Sequence, residues 1–300
     1  MMHRRDFLRL GVAGMAALPA GALAQGLTDH KIVGLILPTL RSGTVIDLVP
    51  LLPKGVGLLP VYLTFHEGTA DEFKRGFDGY EKQIALLADH GCDLIHPEGA
   101  PPFMMKGLAA ETALLNDWQR KYRTPMFTSG QNHIHALHAL GVRSIFGATY
   151  FQGRINDLYA KYFEDAGFAV HGMQGLEGVE FKQVQDVPSS KIYDLIKAGF
   201  EKNPDAKCIY ILGSGWRTLD IVERLEQSLG VPVVHPQTAR AWEIRKRLQL
   251  NDPMQGFGTL MSTLPPLRAF SRIDRISPMA ASSVCAIFWC ISAWSDPSTK

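Results

Sequence analysis

Short apolar runs of strand length recur along the chain at residues 31–38, 56–65, 92–97, 125–129, 143–149, 169–176, 207–213 and 231–235. Between most of them the apolar positions switch to helical spacing. The clearest such stretch runs from Ala70 to His90, where Phe73, Phe77, Tyr80, Ile84 and Leu87 form one stripe. Thr69 and Glu72 have the spacing of a capping box at its start, and Gly91 supplies a C-terminal stop. Related patterns cover 108–122, 154–166, 189–202 and 218–229, the last ending at Gly230-Val-Pro232. Strands alternating with amphipathic helices predict an α/β fold whose parallel sheets are covered on both faces.

Two junctions stand out in this pattern. Cys92-Asp-Leu-Ile-His-Pro-Glu-Gly99-Ala-Pro-Pro-Phe103 and Lys207-Cys-Ile-Tyr-Ile-Leu-Gly213-Ser-Gly-Trp-Arg-Thr-Leu-Asp220 each pass from an apolar run into glycine-containing polar sequence, with a helical pattern following. A buried parallel strand delivers a ligand-binding loop at its carboxyl end in this way. The two junctions also echo each other, as expected of two similar halves.

Composition adds limits. Three hundred residues, 46% hydrophobic and 20% charged, suffice for one large or two modest globular domains. The N-terminus has another purpose. Arg4-Arg5-Asp6-Phe7-Leu8-Arg9-Leu10, a Gly/Ala-rich apolar stretch and the small-x-small site Ala22-Leu23-Ala24 read as a twin-arginine signal peptide over residues 1–24. Its removal takes three of 31 basic and one of 29 acidic residues, so a net charge of +2 becomes zero. No basic cluster remains to neutralise a run of phosphates, which argues against nucleic-acid binding. Of four cysteines, Cys92 and Cys208 open apolar runs and read as small buried hydrophobes. Cys285 and Cys290 fall in a tail of changed character, residues 266–300, to which no function is assigned.

Several pieces carry a resemblance: Gly34-Leu-Ile-Leu-Pro38, Asp93-Leu-Ile with its loop to Gly107, Ala139-Leu-Gly-Val-Arg143, Ala148-Thr-Tyr-Phe-Gln-Gly-Arg-Ile-Asn156, Leu212-Gly-Ser-Gly-Trp-Arg-Thr-Leu-Asp220 and Leu229-Gly-Val-Pro-Val-Val234 with Trp242 beyond. In order and spacing, residues 31–261 resemble the Asp/Glu racemase superfamily, in the branch of arylmalonate decarboxylase and maleate cis-trans isomerase. The resemblance implies two similar α/β domains, each a parallel sheet flanked by helices, with the site in the cleft between them. It also implies boundaries: a first domain of residues 30–128 plus 238–262, and a second of residues 129–237.

Family chemistry creates a carbanion beside a carboxylate, whose charge is held by backbone N–H groups and hydroxyls at strand ends. By resemblance, the substrate-binding positions are Pro38, Thr39, Gly99, Ala100, Thr128, Ser129, Tyr150, Gly213, Ser214 and Gly215, the last three also placed where a helix N-terminus favours an anion. Cysteines usually move the proton or attack the substrate; here Gly99 and Gly213 stand in both cysteine slots. A tyrosine that helps hold the carboxylate falls at Phe151, beside Tyr150. His96, Glu98 and His235 are the candidate replacements for acid/base work, each alternatively a polar loop residue satisfied by nearby backbone. No cofactor or metal is expected.

Three other motifs are set aside. Gly213-Ser-Gly215 lacks the third glycine of a dinucleotide loop and the spacing of a nucleophile elbow. His133, His135 and His138 lie on a predicted helix but lack a carboxylate at i+4 to complete a zinc site, and read as a solvated face. Arg217 reads as a loop anchor. Two functions remain open: an exported isomerase- or decarboxylase-like enzyme acting on a small carboxylate without a cysteine, or a non-catalytic carboxylate-binding protein on the same scaffold. The export expectation is tested by cell fractionation. Mature protein beginning near Gln25 should be periplasmic, and changing both Arg4 and Arg5 to Lys should abolish export. Uncleaved, active cytoplasmic protein would contradict it.

Overall fold

A computed structural model describes residues 30–250 and 252–263. The expected signal peptide, the 266–300 tail, Cys285 and Cys290 lie outside the described residues. The chain divides into two units, the first ending at Ser129 and the second beginning at Gly130.

In the first unit, β1 (Lys31–Leu37) lies between β2 (Val56–Tyr62) and β3 (Leu94–Pro97), all parallel. Helix α1 (Ser42–Leu48) follows β1. It has no side-chain cap and leaves Ile46 exposed, so its pattern was not recognised in sequence. The expected helix over 70–90 is two helices, α2 (Ala70–Arg75) and α3 (Phe77–Asp89). The break falls at Gly76, where an added Cβ would lie 2.0 Å from the Phe65 ring. Behind the sheet, Tyr80, Ile84 and Leu87 of α3 are fully buried, and Tyr80 packs edge-on against Phe103 at 4.9 Å. Each such side chain contributes about 1.5–3 kcal/mol of burial. Helices α4 (Ala100–Met104) and α5 (Leu108–Tyr122) complete the unit. The strand expected at 125–129 reduces to a parallel bridge between Ile95 and Met126. Gln119 Oε1 accepts the Met126 N–H at 2.9 Å, and α6 (Ser129–Ala139) begins directly afterwards.

The second unit orders its parallel strands β5-β4-β6-β7: β4 (Ser144–Thr149), β5 (Ala169–Gly175), β6 (Ile209–Ile211) and β7 (Val233–Val234). Helices α7 (Arg154–Asp165), α8 (Ser189–Glu201), α9 (Val222–Leu229), α10 (Pro236–Arg247) and α11 (Thr259–Thr263) join or follow them. Phe146, Ile196, Ile209, Ile211, Trp216 and Leu225 belong to one buried core cluster. Residues 238–262, expected with the first domain, are tied instead to this unit. Asn132 Nδ2 donates to the Ala239 carbonyl at 2.8 Å, and Glu226 accepts from the Thr259 N–H at 2.8 Å. Cys92 and Cys208 are free and buried, as their settings in sequence predicted.

The capping expectation at α2 holds in altered form. Thr69 Oγ1 accepts from the Glu72 N–H at 3.2 Å, but Glu72 reaches past Thr69. Its carboxylate accepts from the N–H groups of His66, Glu67 and Gly68 at 2.5, 2.9 and 2.8 Å. One carboxylate thus gathers the loop after β2. Glu72→Ala should cost about 1–3 kcal/mol in urea denaturation; unchanged stability would contradict that role.

Candidate functional site

In both units the strand that comes first in sequence lies between the second and the third, so the connections leave in opposite directions from adjacent strands. Ligands of open α/β sheets bind at such switch points, outside the carboxyl ends of the strands. Most of the expected site residues follow the strands at these two edges, each in its own unit.

In the first unit the switch lies between β1 and β3. Pro38 and Thr39 leave β1 half-buried, and the Pro38 carbonyl accepts from the Phe65 N–H at 3.0 Å. Beyond β3, the Glu98 N–H donates to the Ile36 carbonyl at 2.9 Å, and the Gly99 N–H donates to Ser129 Oγ at 3.2 Å. Ala100 then opens α4, with Pro101 and Pro102 in its first turn. Thr128 is fully buried, and its hydroxyl has no hydrogen-bond partner among the described residues. His96 is fully buried on β3. Its Nδ1 lies 2.8 Å from the Phe127 carbonyl, so that nitrogen donates its proton there. The ring stacks on Phe127 with centroids 4.3 Å apart.

Gly99 has φ +123°, and an added Cβ would lie 2.5 Å from Tyr80 Oη. That phenol is fully buried and donates to the Glu98 carbonyl at 2.6 Å. Burial, and then the Glu98 charge, hold its pKa well above the ordinary phenol value.

In the second unit the switch lies between β4 and β6, where Tyr150 meets Gly213. Thr149 Oγ1 accepts the Phe151 N–H at 3.0 Å and donates to Asn156 Oδ1 at 2.8 Å, while Asn156 Nδ2 donates to the Phe151 carbonyl at 2.9 Å. This ring of bonds explains the 148–156 motif: it fixes the loop that carries Tyr150. Gly213 has φ +99°, and an added Cβ would lie 2.1 Å from Tyr150 Cε1. Ser214 is half-buried and Gly215 buried in the following turn. Gly213-Ser214-Gly215 does not sit at a helix N-terminus as expected. A turn at Ser214–Gly215, a bend at Trp216 and a single helical turn at Leu219–Ile221 precede α9.

The histidines are placed otherwise than expected. His235 Nδ1 accepts from the Gln237 N–H at 3.1 Å, capping α10, and its Nε2 lies 3.0 Å from Thr218 Oγ1. Burial, and then Arg240, pull its pKa down to about 3. Both nitrogens are engaged, so His235 is a neutral cap rather than an acid/base. His133 and His135 are buried, not solvated. His133 Nδ1 lies 3.0 Å from Tyr210 Oη, and burial first, then Arg240 and His235, pull its pKa to about 3. His135 Nδ1 lies 3.0 Å from Glu243, a fully buried carboxylate that also accepts from Asn132 Nδ2 at 2.9 Å and Arg247 Nη2 at 2.7 Å. Sequence reasoning missed Glu243, because its partners on α6 are about a hundred residues away; its i+4 spacing to Arg247 was the only local signal. Among the described residues no group of three or more His, Cys, Asp or Glu is placed to hold a metal, and no helix is long and apolar enough to cross a membrane. Burial, then Asp93, raises the pKa of Cys92; burial raises that of Cys208 still further. Neither thiol stands at a switch point.

Parallel sheets with switch-point loops of glycines and hydroxyls define an α/β enzyme scaffold. Residues 33–261 match the family model described as arylmalonate decarboxylase, so the chain belongs to that family. It is 28% identical over 175 residues to the arylmalonate decarboxylase of Bordetella bronchiseptica, covering 55% of this chain and 72% of the relative. Its fold is similar to that of the maleate isomerase Iso from Pseudomonas putida S16, with TM-score 0.73 and 19% identity over 78% of this chain and 99% of that one. A maleate cis-trans isomerase of Nocardia farcinica, solved with a covalently bound succinylcysteine intermediate, gives TM-score 0.71 and 17% identity over 77% of this chain and 98% of that one. These relatives are enzymes, a lyase and two isomerases.

The Glu243 cluster yields a stability test. Burial alone would raise its carboxyl, but the charges of His135 and Arg247 and their hydrogen bonds outweigh burial and hold it at about 2, below the ordinary 4.5. A depressed carboxyl stabilises fully above pH 4.5, and that contribution is lost as pH falls through 2. Glu243→Gln should cost about 3–5 kcal/mol at pH 7. The difference from wild type should shrink as pH falls below 4.5 in denaturant titrations. Equal stabilities at pH 7 would contradict a structural role.

Proposed function

We propose that this protein is an exported isomerase- or decarboxylase-like enzyme of a small carboxylate, of the arylmalonate or maleate type, and that it works without a cysteine. The observation that carries this reading is the Thr128 hydroxyl, buried beside the strand-end loop of the first unit's switch point with no hydrogen-bond partner among the described residues. Removing a proton or carbon dioxide beside a carboxylate leaves an electron pair that spreads onto the carboxylate oxygens. Fixed hydroxyls and N–H groups aimed there stabilise that charge without reorganising. Thr128, Ser129, Ser214 and the backbone of Gly99-Ala100 and Gly213-Gly215 are the residues assigned to this work. His96, with Nδ1 anchored on Phe127, and Glu98 beside it are the titratable groups at the first unit's strand end. Export rests on the Arg4-Arg5 motif and the Ala22-Leu23-Ala24 site.

A second reading is favoured by one observation: both described cysteines are buried with raised pKa values, away from the strand ends. On that reading the site captures a carboxylate and does no chemistry.

Thermal shift and product analysis separate the two. Phenylmalonate or maleate at a hundredfold excess over Kd should stabilise the protein by about 2.7 kcal/mol, several degrees in Tm. Thr128→Val removes a buried hydroxyl that has no partner, so the unliganded protein should keep or raise its Tm. The ligand shift should fall sharply in Thr128→Val and in Ser214→Leu. Release of carbon dioxide, or conversion of maleate to fumarate, supports the enzyme; binding without either supports capture. Equal shifts in wild type and both variants would place the ligand elsewhere.

A further inference from the structure

The two glycine slots are each filled by a tyrosine, in different ways. At Gly99 the oxygen of Tyr80 takes the space of a Cβ, and its single proton is committed to the Glu98 carbonyl at 2.6 Å in a fully buried setting. At Gly213 the Tyr150 ring crosses the slot: an added Cβ would lie 2.1 Å from Cε1, 2.5 Å from Cζ and 2.6 Å from Oη. Tyr150 is half-buried rather than sealed, and its ring is held by Phe151 at 4.6 Å, Trp216 at 5.5 Å and Phe181 at 6.1 Å. Its carrier loop is fixed through Thr149 and Asn156. The phenol oxygen therefore stands at the strand end where a side chain on residue 213 would begin.

We propose that Tyr150 is the proton carrier of this site, standing in place of a side chain at Gly213, and that Tyr80 is only a plug at Gly99. This rests on the carbanion reading above and names its acid. In the decarboxylation of a malonate, the bond between the central carbon and one carboxylate breaks and carbon dioxide leaves. The electron pair stays on that carbon. The Tyr150 O–H proton is transferred to it, and the resulting phenolate regains a proton from water. A phenol suits this direction because it is protonated at neutral pH. One carrier serves decarboxylation, whereas racemisation through a planar carbanion needs one group to remove the proton and another to return it. The inference therefore assigns the site a single protonation step rather than racemisation.

Tyr150→Phe keeps the ring packing and deletes only the oxygen. With phenylmalonate as probe, kcat should fall at least about 100-fold while KM stays within about threefold. In the wild type, binding of non-absorbing malonate should give a tyrosine ultraviolet difference spectrum that is absent in folded Tyr150→Phe; the wild-type arm of this readout does not involve the variant. A thiol introduced by Gly213→Cys should react with iodoacetamide, and be protected by malonate, once Tyr150→Gly clears the slot. With the ring present it should react far more slowly. Wild-type kcat in folded Tyr150→Phe, or malonate binding with no difference spectrum in the wild type, overturns the inference and leaves the carboxylate site standing. Binding without turnover overturns it in favour of capture. Failure of phenylmalonate, malonate and maleate to bind the wild type overturns this inference and the site reading together.

Discussion

The site depends on one constraint, the positive φ of the glycines that end β3 and precede the turn after β6. At +123° and +99° these positions exclude most side chains, and the space a Cβ would need is occupied by tyrosine. The backbone can therefore turn sharply at each switch point. Everything else follows from holding those turns in place: Ser129 receives the Gly99 N–H, the Thr149–Asn156 bonds fix the loop beside Gly213, and the cores under both sheets keep the strand ends in register.

The strand order links this constraint to function. Each unit places its first strand centrally, so the crossovers diverge where the glycine loops emerge. The divergence opens space that no connection covers, and backbone groups can meet a ligand there. Family membership shows that such a scaffold serves lyase and isomerase chemistry in relatives. In this chain the thiols are buried away from that edge, and the oxygen and nitrogen groups near it are Tyr150, His96, Glu98 and the strand-end hydroxyls.

Much of the fold was legible because its elements are locally self-consistent. The helix over 108–122 and the start of the helix at Ala70 were written in apolar spacing and capping residues, and their structural bounds agree. Elements specified from a distance were less so. The run at 125–129 is apolar enough for a strand, but Gln119 takes its N–H. Helix α6 carries three histidines and reads as polar, yet Asn132 and His135 are buried because Glu243 and Ala239 of α10 satisfy them. Gly99, Thr128, Ser129, Tyr150 and Gly213 were placed just past apolar runs from sequence, and they lie there. The meeting of Tyr150 with Gly213, of Tyr80 with Gly99, and the capping role of His235 are tertiary facts with no local pattern.

The central claim is that the carboxyl ends of the strands at a switch point hold a carboxylate. A crystal structure of the protein with bound malonate tests it most directly. The account predicts the ligand at those strand ends, with carboxylate oxygens within hydrogen-bond distance of the hydroxyls and N–H groups named above. Malonate seated at the amino ends of the strands or on the outer helices, with the switch-point loops unoccupied, would contradict it.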